Sequence, residues 1–142
     1  MDTVLLDGDK AMFLPSFGPA VVVVRPGTLQ GSGPATVGGK KLCVDGDENS
    51  VSVTGCMYIT PQHPIPGTGT LEIAALAGDH KATHSHTGGT PMLLVGGQFS
   101  ARFKVQSPAQ QPTPSGSPVP DATASYSGKG SFVSTDTRLR AS

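Results

Sequence analysis

Hydrophobic positions along this chain fall in short runs, and the runs that have a period alternate. The run AVVVVR at residues 20–25 is β-branched and reads as a buried or two-sided strand. Val51-Ser52-Val53 alternates and reads as the return strand of a hairpin, after a polar loop at 45–50. Residues 71–76 are apolar over too few positions for periodicity to separate a strand from a short helix. Residues 92–95 lead into a Gly pair. Turn signals stand between the runs, at Pro26-Gly27 and over 31–34. Pro61, Pro64 and Pro66 forbid a helix up to Gly69. Residues 1–17 mix apolar and acidic side chains without a clear period, and Pro15 and Pro19 break any helix there.

One pattern occurs twice without a gap: VGGKKLCVDGD at 37–47 and VGGQFSARFKV at 95–105. A Gly pair supplies the positive φ values of a tight turn at no steric cost. Alternation after the turn sends one face into a sheet's packed side and one face out. The expectation is a mainly β structure from about Val21 to Val105, pseudo-symmetric, with turns at Gly38-Gly39 and Gly96-Gly97 in equivalent places.

Composition changes this picture in two ways. The chain has 19 Gly and 13 Pro, 36% hydrophobic and 5% aromatic residues, and no Trp. That is little bulky material for a core, so stability is expected from backbone ladders, a metal or covalent staple, or a partner surface. Five of the Pro residues sit among Ser, Gln and Gly at 107–120, which reads as an extended linker. After it, Tyr126, Phe132, Val133 and Leu139 stand in a tail rich in Ser, Thr and Gly. That tail either adds a hairpin near Gly128-Lys129-Gly130 or stays disordered.

A formal net charge of +0 leaves no electrostatic footprint for nucleic acid or an anionic membrane, so no nucleic-acid partner is expected. No run is long and apolar enough to cross a bilayer. The N-terminal residues carry acids where a signal peptide carries bases, so the expected location is cytoplasmic until assembly or export. In that compartment Cys43 and Cys56 are thiols or metal ligands rather than a disulfide.

At the two Val-Gly-Gly units the sequence resembles the PAAR-repeat family, the sharpened tips of contractile injection machines. A typical family motif reads Val-Asn-Gly-Lys-Pro-Val-Ala-Arg-x-Gly-Asp. The first copy here keeps Val37, Gly39, Lys40, Gly46 and Asp47; the second keeps Val95, Gly97, Ala101 and Arg102; Gly38 and Gly96 complete the turns. The Pro-Ala-Ala-Arg tetrapeptide is absent: Lys41 and Phe99 stand where its Pro would, and the second copy ends in Lys104 and Val105 instead of Gly-Asp. The resemblance covers roughly residues 26–106, and is strongest to the divergent tips of extracellular systems, phage-tail-like particles and type VI secretion.

The resemblance implies a small cone- or prism-shaped stack of short β-hairpins. It divides the chain into an N-terminal segment (1–25), the cone (26–106), a Pro-rich linker (107–120) and a short C-terminal extension (121–142). The cone's base sits on the blunt end of a trimeric β-helical spike and its point faces the target membrane. The particle's tip, from which the protein is released or injected, is the implied location after assembly. Extensions of such proteins act as effector cargo or hold it, and many members bind one zinc near the point through three His and one Cys.

Here Cys56 lies roughly where family members place the ligand Cys. His84 and His86, two apart on a strand, share a face, and His63 sits in a Pro-bounded loop able to fold back. Cys56, His63, His84 and His86 form a set that tetrahedral zinc accepts, with Cys43 and His80 in reserve. The competing reading is exposed loop histidines and two buried thiols. The stretch 45–49 opens like a calcium loop but lacks its turn Gly at Ser50 and its closing acid at Cys56, while Asp7-Gly8-Asp9 fails at Ala11, so acidic hairpin loops are the better reading.

No nucleophile elbow is present, nothing orients a Cys56–His84 pair, and so few aromatics make an apolar substrate cleft hard to build. The expected function is therefore non-enzymatic: a tip that caps a trimeric spike and sharpens it for membrane puncture. The alternative is a small cytoplasmic metal-binding or carrier β module whose Pro-rich tail recruits a partner.

Overall fold

A computed structural model describes residues 2–87, 89–114, 116–134 and 140–141; the side chains of 83–85 and 140–141 lie outside the description. In chain order the strands are β1 (Asp2–Thr3), β2 (Lys10–Phe13), β3 (Ser16–Phe17), β4 (Ala20–Val22), β5 (Gly27–Thr28), β6 (Thr36–Val37), β7 (Lys40–Lys41), β8 (Ser52–Thr60), β9 (His63–Ala75), β10 (Lys81–Thr87), β11 (Thr90–Leu93), β12 (Gln98–Ser107), β13 (Gln110–Gln111), β14 (Val119–Pro120), β15 (Ser125–Val133) and β16 (Arg140–Ala141). Short 3₁₀ turns at Asp47–Ser50 and Gly78–His80 interrupt them. The protein is mainly β, as its short alternating runs imply.

One curled antiparallel sheet dominates, in the order β3-β4-β8-β9-β12-β15-β2-β5, with β13 and β14 attached beside β9. Alternation sets its two faces. Along β12, Phe99, Ala101 and Phe103 turn inward and Ser100, Arg102 and Lys104 turn out. Residues 71–75 of that run resolve as the end of β9, with Leu71 and Ile73 inward. The AVVVVR run is half-buried: Ala20 and Val22 face the core, while Val21 and Val23 are exposed. Ser52-Val53 of the alternating run opens β8, which pairs with β4 and β9 rather than closing a hairpin over the loop before it.

All five phenylalanines and both tyrosines are buried in one cluster behind this sheet. Phe99 packs at 4.9 Å from Phe132 and edge-on to Phe13 at 5.6 Å, and Tyr58 lies 5.1 Å from Phe103. Each fully buried aromatic contributes about 1.5–3 kcal/mol, so a small aromatic allotment sustains a core when none of it is left outside.

The C-terminal segment departs from expectation. It is not an appended extension: β15 lies between β12 and β2 in the middle of the sheet, and Tyr126 and Phe132 belong to the main core. Leu139 lies outside the described residues. Gly128 and Gly130 mark no hairpin turn. They sit within β15, where a Cβ would strike the rings of Phe17 and Phe99. Glycine that reads as a turn signal is here the condition for aromatic rings to lie against a strand.

The Pro-rich stretch is likewise more than a spacer. Gln110 and Gln111 pair with Pro120 and Val119, so the chain loops out and returns, and Ala109 is fully buried. Asp121 fastens the return. Its Oδ2 accepts the hydroxyls of Tyr58 at 2.9 Å and Tyr126 at 2.6 Å, and its Oδ1 accepts the Thr123 N–H at 3.0 Å. Tyr58 Oη in turn accepts the Ala109 N–H at 2.9 Å.

Burial pushes the Asp121 carboxyl upward, but the hydrogen bonds from Tyr126, Thr123 and Tyr58 outweigh it and hold the group below its ordinary 3.8. Burial, with Asp121 alongside, pushes Tyr58 from 10.0 up to about 12.

Two predictions follow from this arrangement. Ending the chain after Val105 strips β12 of a neighbour and the core of Tyr126 and Phe132; the truncated protein should show no cooperative thermal transition by circular dichroism, and a retained transition would refute the role given to β15. The second concerns pH. The Asp121 contribution is present above pH 3.8 and is lost as pH falls through its lower folded value; that of Tyr58 is present below pH 10.0 and is lost as pH rises towards about 12. Asp121→Asn should therefore lower stability at neutral pH by about 1–3 kcal/mol, flatten the acid limb of a denaturation series, and weaken the alkaline limb in part, since burial alone then raises Tyr58.

Candidate functional site

Three segments far apart in sequence meet at one junction: residues 4–6, 42–44 and 92–94. Their antiparallel bridges close a cycle, with Val4 opposite Leu94, Leu6 opposite Leu42, and Val44 opposite Met92. Within it the middle residues form a triangle. Leu5 N–H donates to Leu93 O, Leu93 N–H to Cys43 O, and Cys43 N–H to Leu5 O, each at 2.9 Å. A second ring repeats the pattern: Asp7 N–H to Lys41 O at 2.8 Å, Asp45 N–H to Pro91 O at 2.9 Å, and Val95 N–H to Thr3 O at 2.9 Å. Two rings with matching donors and acceptors in all three units make a pseudo-threefold arrangement.

Alternation explains why all three segments are apolar. Leu5, Cys43 and Leu93 turn into the main core. Val4, Leu6, Leu42 and Leu94 turn the other way into a second cluster with Ala82, against which Val37 and Met92 pack half-buried. Each segment then makes a turn at Gly8, Gly46 or Gly96, with φ of 91°, 104° and 56°, a region open to glycine without strain. A two-stranded ladder leads into each segment: β6–β7, β10–β11, whose second strand runs into it, and β1–β16, the last from strands distant in sequence.

This geometry corrects the repeat. The structural counterpart of 37–47 is 87–97, TGGTPMLLVGG, not 95–105. Gly38-Gly39 closes the β6–β7 hairpin, and its equivalent is at 88–89, of which 88 lies outside the described residues. Gly96-Gly97 instead corresponds to Gly46-Asp47 and to Gly8-Asp9. The register places Pro91 where the motif quoted above has its Pro. Ala101 and Arg102, read as motif residues, belong to β12; Ala101 is buried and Arg102 Nη1 meets Glu72 Oε1 at 3.3 Å on the outer face.

The third unit was missed because its signal is split. Its clearest trace in sequence is an apolar triplet followed by x-Gly-x: VLLDGD, LCVDGD, MLLVGG.

The acidic loops have structural work. Asp9 Oδ2 accepts the Leu6 N–H at 2.8 Å, and Asp47 Oδ2 accepts the Val44 N–H at 2.8 Å. Asp47 also takes the Ser32 N–H at 3.0 Å and its hydroxyl at 2.6 Å. Gly97 has no side chain to do this, and Leu94 N–H donates to His80 O at 2.7 Å. His80 is fully buried there: its Nδ1 accepts the Ala77 N–H at 2.8 Å, so its Nε2 carries the proton, donated to Gly97 O at 3.0 Å.

Of the four expected zinc ligands, Cys56 and His63 are not brought together. Cys56 is buried in the main core opposite Gly69, whereas His63 opens β9 opposite Thr60, four residues and about 13 Å further along β8. Thr60 Oγ1 lies 2.8 Å from His63 Nδ1. His86 is exposed on β10, and the side chain of His84 lies outside the described residues. Among the described residues no group of three or more His, Cys, Asp or Glu is placed to hold a metal ion. The two reserves are both buried. Both ring nitrogens of His80 are engaged. Burial, then the carboxylates of Asp47, Asp9 and Asp7, pushes the Cys43 thiol up to about 12.

Asp47→Ala removes three hydrogen bonds that hold the 31–33 loop and one turn of the junction. It should lower unfolding stability by about 1–3 kcal/mol in a denaturant titration, and a change near zero would show that the junction does not depend on its carboxylate caps.

The comparison with curated proteins gives no match. The family model described as contractile injection system spike tip protein matches residues 1–142, the whole of the chain. With its mainly β fold and its three-unit junction, the chain belongs to the contractile injection system spike tip family.

Proposed function

We propose that this spike tip caps a trimeric spike, with the pseudo-threefold axis of its buried junction on the axis of the spike. The observation that carries the reading is the closed cycle of three bridges with its two rings of matching backbone bonds. A single chain that meets three identical ones must offer three similar faces, and repetition within the chain is the direct way to build them. The three units differ in detail, which suits one chain seated on a symmetric end.

The mechanism is mechanical. A compact body cross-linked by backbone ladders resists deformation while contraction of the particle concentrates force on a small area, and the target membrane is breached there. Cargo attachment is a further proposal, and the exposed sheet face offers room for it. Before assembly the protein awaits its spike in the cytoplasm; afterwards it rides at the particle's tip and leaves with it. Zinc stays a proposal resting on His84 and His86, which lie two apart on β10.

Purified tip mixed with the trimeric spike of its own system should give a complex of one tip per trimer by native mass spectrometry, with the junction's pseudo-threefold axis along the spike axis in an electron-microscopy reconstruction. Three tips per trimer, or attachment through the outer sheet face, would sink the reading. Elemental analysis of the same complex decides the metal: stoichiometric zinc that disappears in the double change His84→Ala and His86→Ala supports it, and metal-free native complex ends it.

A further inference from the structure

Every Asp, Glu, Lys and Arg of the chain lies outside three segments, 11–24, 49–71 and 105–120. In sequence the three are unrelated. In the fold they meet. β2, β8 and β12 all run away from the junction, so the segments make up the outer parts of these strands and the turns that follow them. Asp121, just past the third segment, is buried and hydrogen-bonded to two tyrosines. The end of the sheet far from the junction therefore presents no charge.

Two further features go with the missing charges. Among the described residues, all the exposed large hydrophobic side chains except Val133 belong to these segments. Leu14 follows β2, Val21 and Val23 lie on and beside β4, Met57 and Ile59 on β8, and Ile65 on β9. Val21 stands opposite Ile59, Val23 N–H donates to Met57 O at 2.8 Å, and these four side chains with Pro66 line an apolar groove. The second feature is proline. The three segments hold two, three and five, ten of the chain's 13. Proline has no backbone N–H, so turns built from it have fewer donors to strip of water.

We propose that this charge-free end is the leading end of the tip and enters the hydrocarbon of the target bilayer. The assignment rests on the reading above, that the junction's axis lies on the spike axis. The three similar ladders, β1–β16, β6–β7 and β10–β11, lie on the side of the junction away from the main sheet and are the faces a trimer can match. The opposite end is left to meet the target. Hydrocarbon penalises every charge and every unpaired donor, wherever they stand. A protein partner asks less, because its interface is depleted of charge at the core and keeps a polar rim. The exposed apolar side chains also belong to several strands of a curled sheet, which suits a surrounding medium better than a one-sided contact. With a net charge of +0 the chain has no pull toward anionic lipid, so the association is apolar and indifferent to lipid charge.

The chain has no Trp, so Leu14→Trp and Val133→Trp each place a single reporter, the first at the charge-free end and the second towards the junction. With full-length protein and phosphatidylcholine vesicles, the Leu14→Trp fluorescence should shift to shorter wavelength and be quenched by brominated acyl chains. The Val133→Trp fluorescence should do neither. Adding phosphatidylglycerol or raising the salt should leave both results as they are. Val23→Lys combined with Met57→Lys, both at exposed positions, should weaken vesicle binding more than tenfold with the melting temperature unchanged, whereas Val133→Lys should leave binding intact.

No quenching at Leu14→Trp, equal quenching at both reporters, or binding that requires the anionic lipid would overturn the proposal. Protection of Leu14→Trp by the trimeric spike would also overturn it and make this end the seat of the spike. One tip per trimer with the three ladders against the spike, but no vesicle binding, strikes the membrane assignment alone and leaves the spike reading standing. Quenching at Leu14→Trp alone, with any other stoichiometry on the spike, supports the membrane assignment and removes the spike reading.

Discussion

The triangle of backbone hydrogen bonds among Leu5, Cys43 and Leu93 is the constraint on which the rest depends. It lies between two apolar clusters, where an unpaired N–H or carbonyl would be costly. Its three residues come from three remote parts of the chain, so no one segment satisfies its own backbone there. Each must arrive together with the other two. The bridges on either side then fix the register of all three, and the alternation of side chains commits Leu5, Cys43 and Leu93 to one cluster and their neighbours to the other.

From that junction the main sheet inherits its starting points. Residue 9 runs into β2, residue 47 into the turn before β8, and residue 97 into β12. The three units therefore launch three strands of one sheet, and the strands curl around a core that holds every aromatic ring in the chain. Glycines at 128 and 130 let that core reach the strand backbone itself, which raises packing without more side-chain volume. A protein with so few large side chains is held by where they are placed and by how completely its backbone is paired.

Symmetry is kept in the backbone and relaxed in the side chains. Two turns are closed by carboxylates, Asp9 and Asp47, and the third by the buried His80 and its own carbonyl. Backbone bonds of this kind ask only for strand geometry, so sequence can drift while the rings persist. That tolerance is why one chain can present three similar faces with little internal sequence identity. It is also why the family motif is hard to see in the letters.

The sequence by itself determined the class of fold, the short β elements, the hairpin at Gly38-Gly39, and the acidic loops as turns. These are local matters: two-residue periodicity, positive φ at glycine, and the absence of any helical period. The resemblance also led to the right family from a few letters of the first copy. Only the tertiary structure decided the rest. It paired 37–47 with 87–97 instead of 95–105, because equivalence here is a matter of which carbonyl meets which N–H across the junction. It drew β15 into the centre of the sheet, where Phe132 and Tyr126 gain burial that no local pattern announces. It separated Cys56 from His63, since a shared ligand set requires proximity in space and four strand residues lie between their positions on the ladder. Long-range pairing energy is invisible to a short window, and in this chain long-range pairing carries most of the structure.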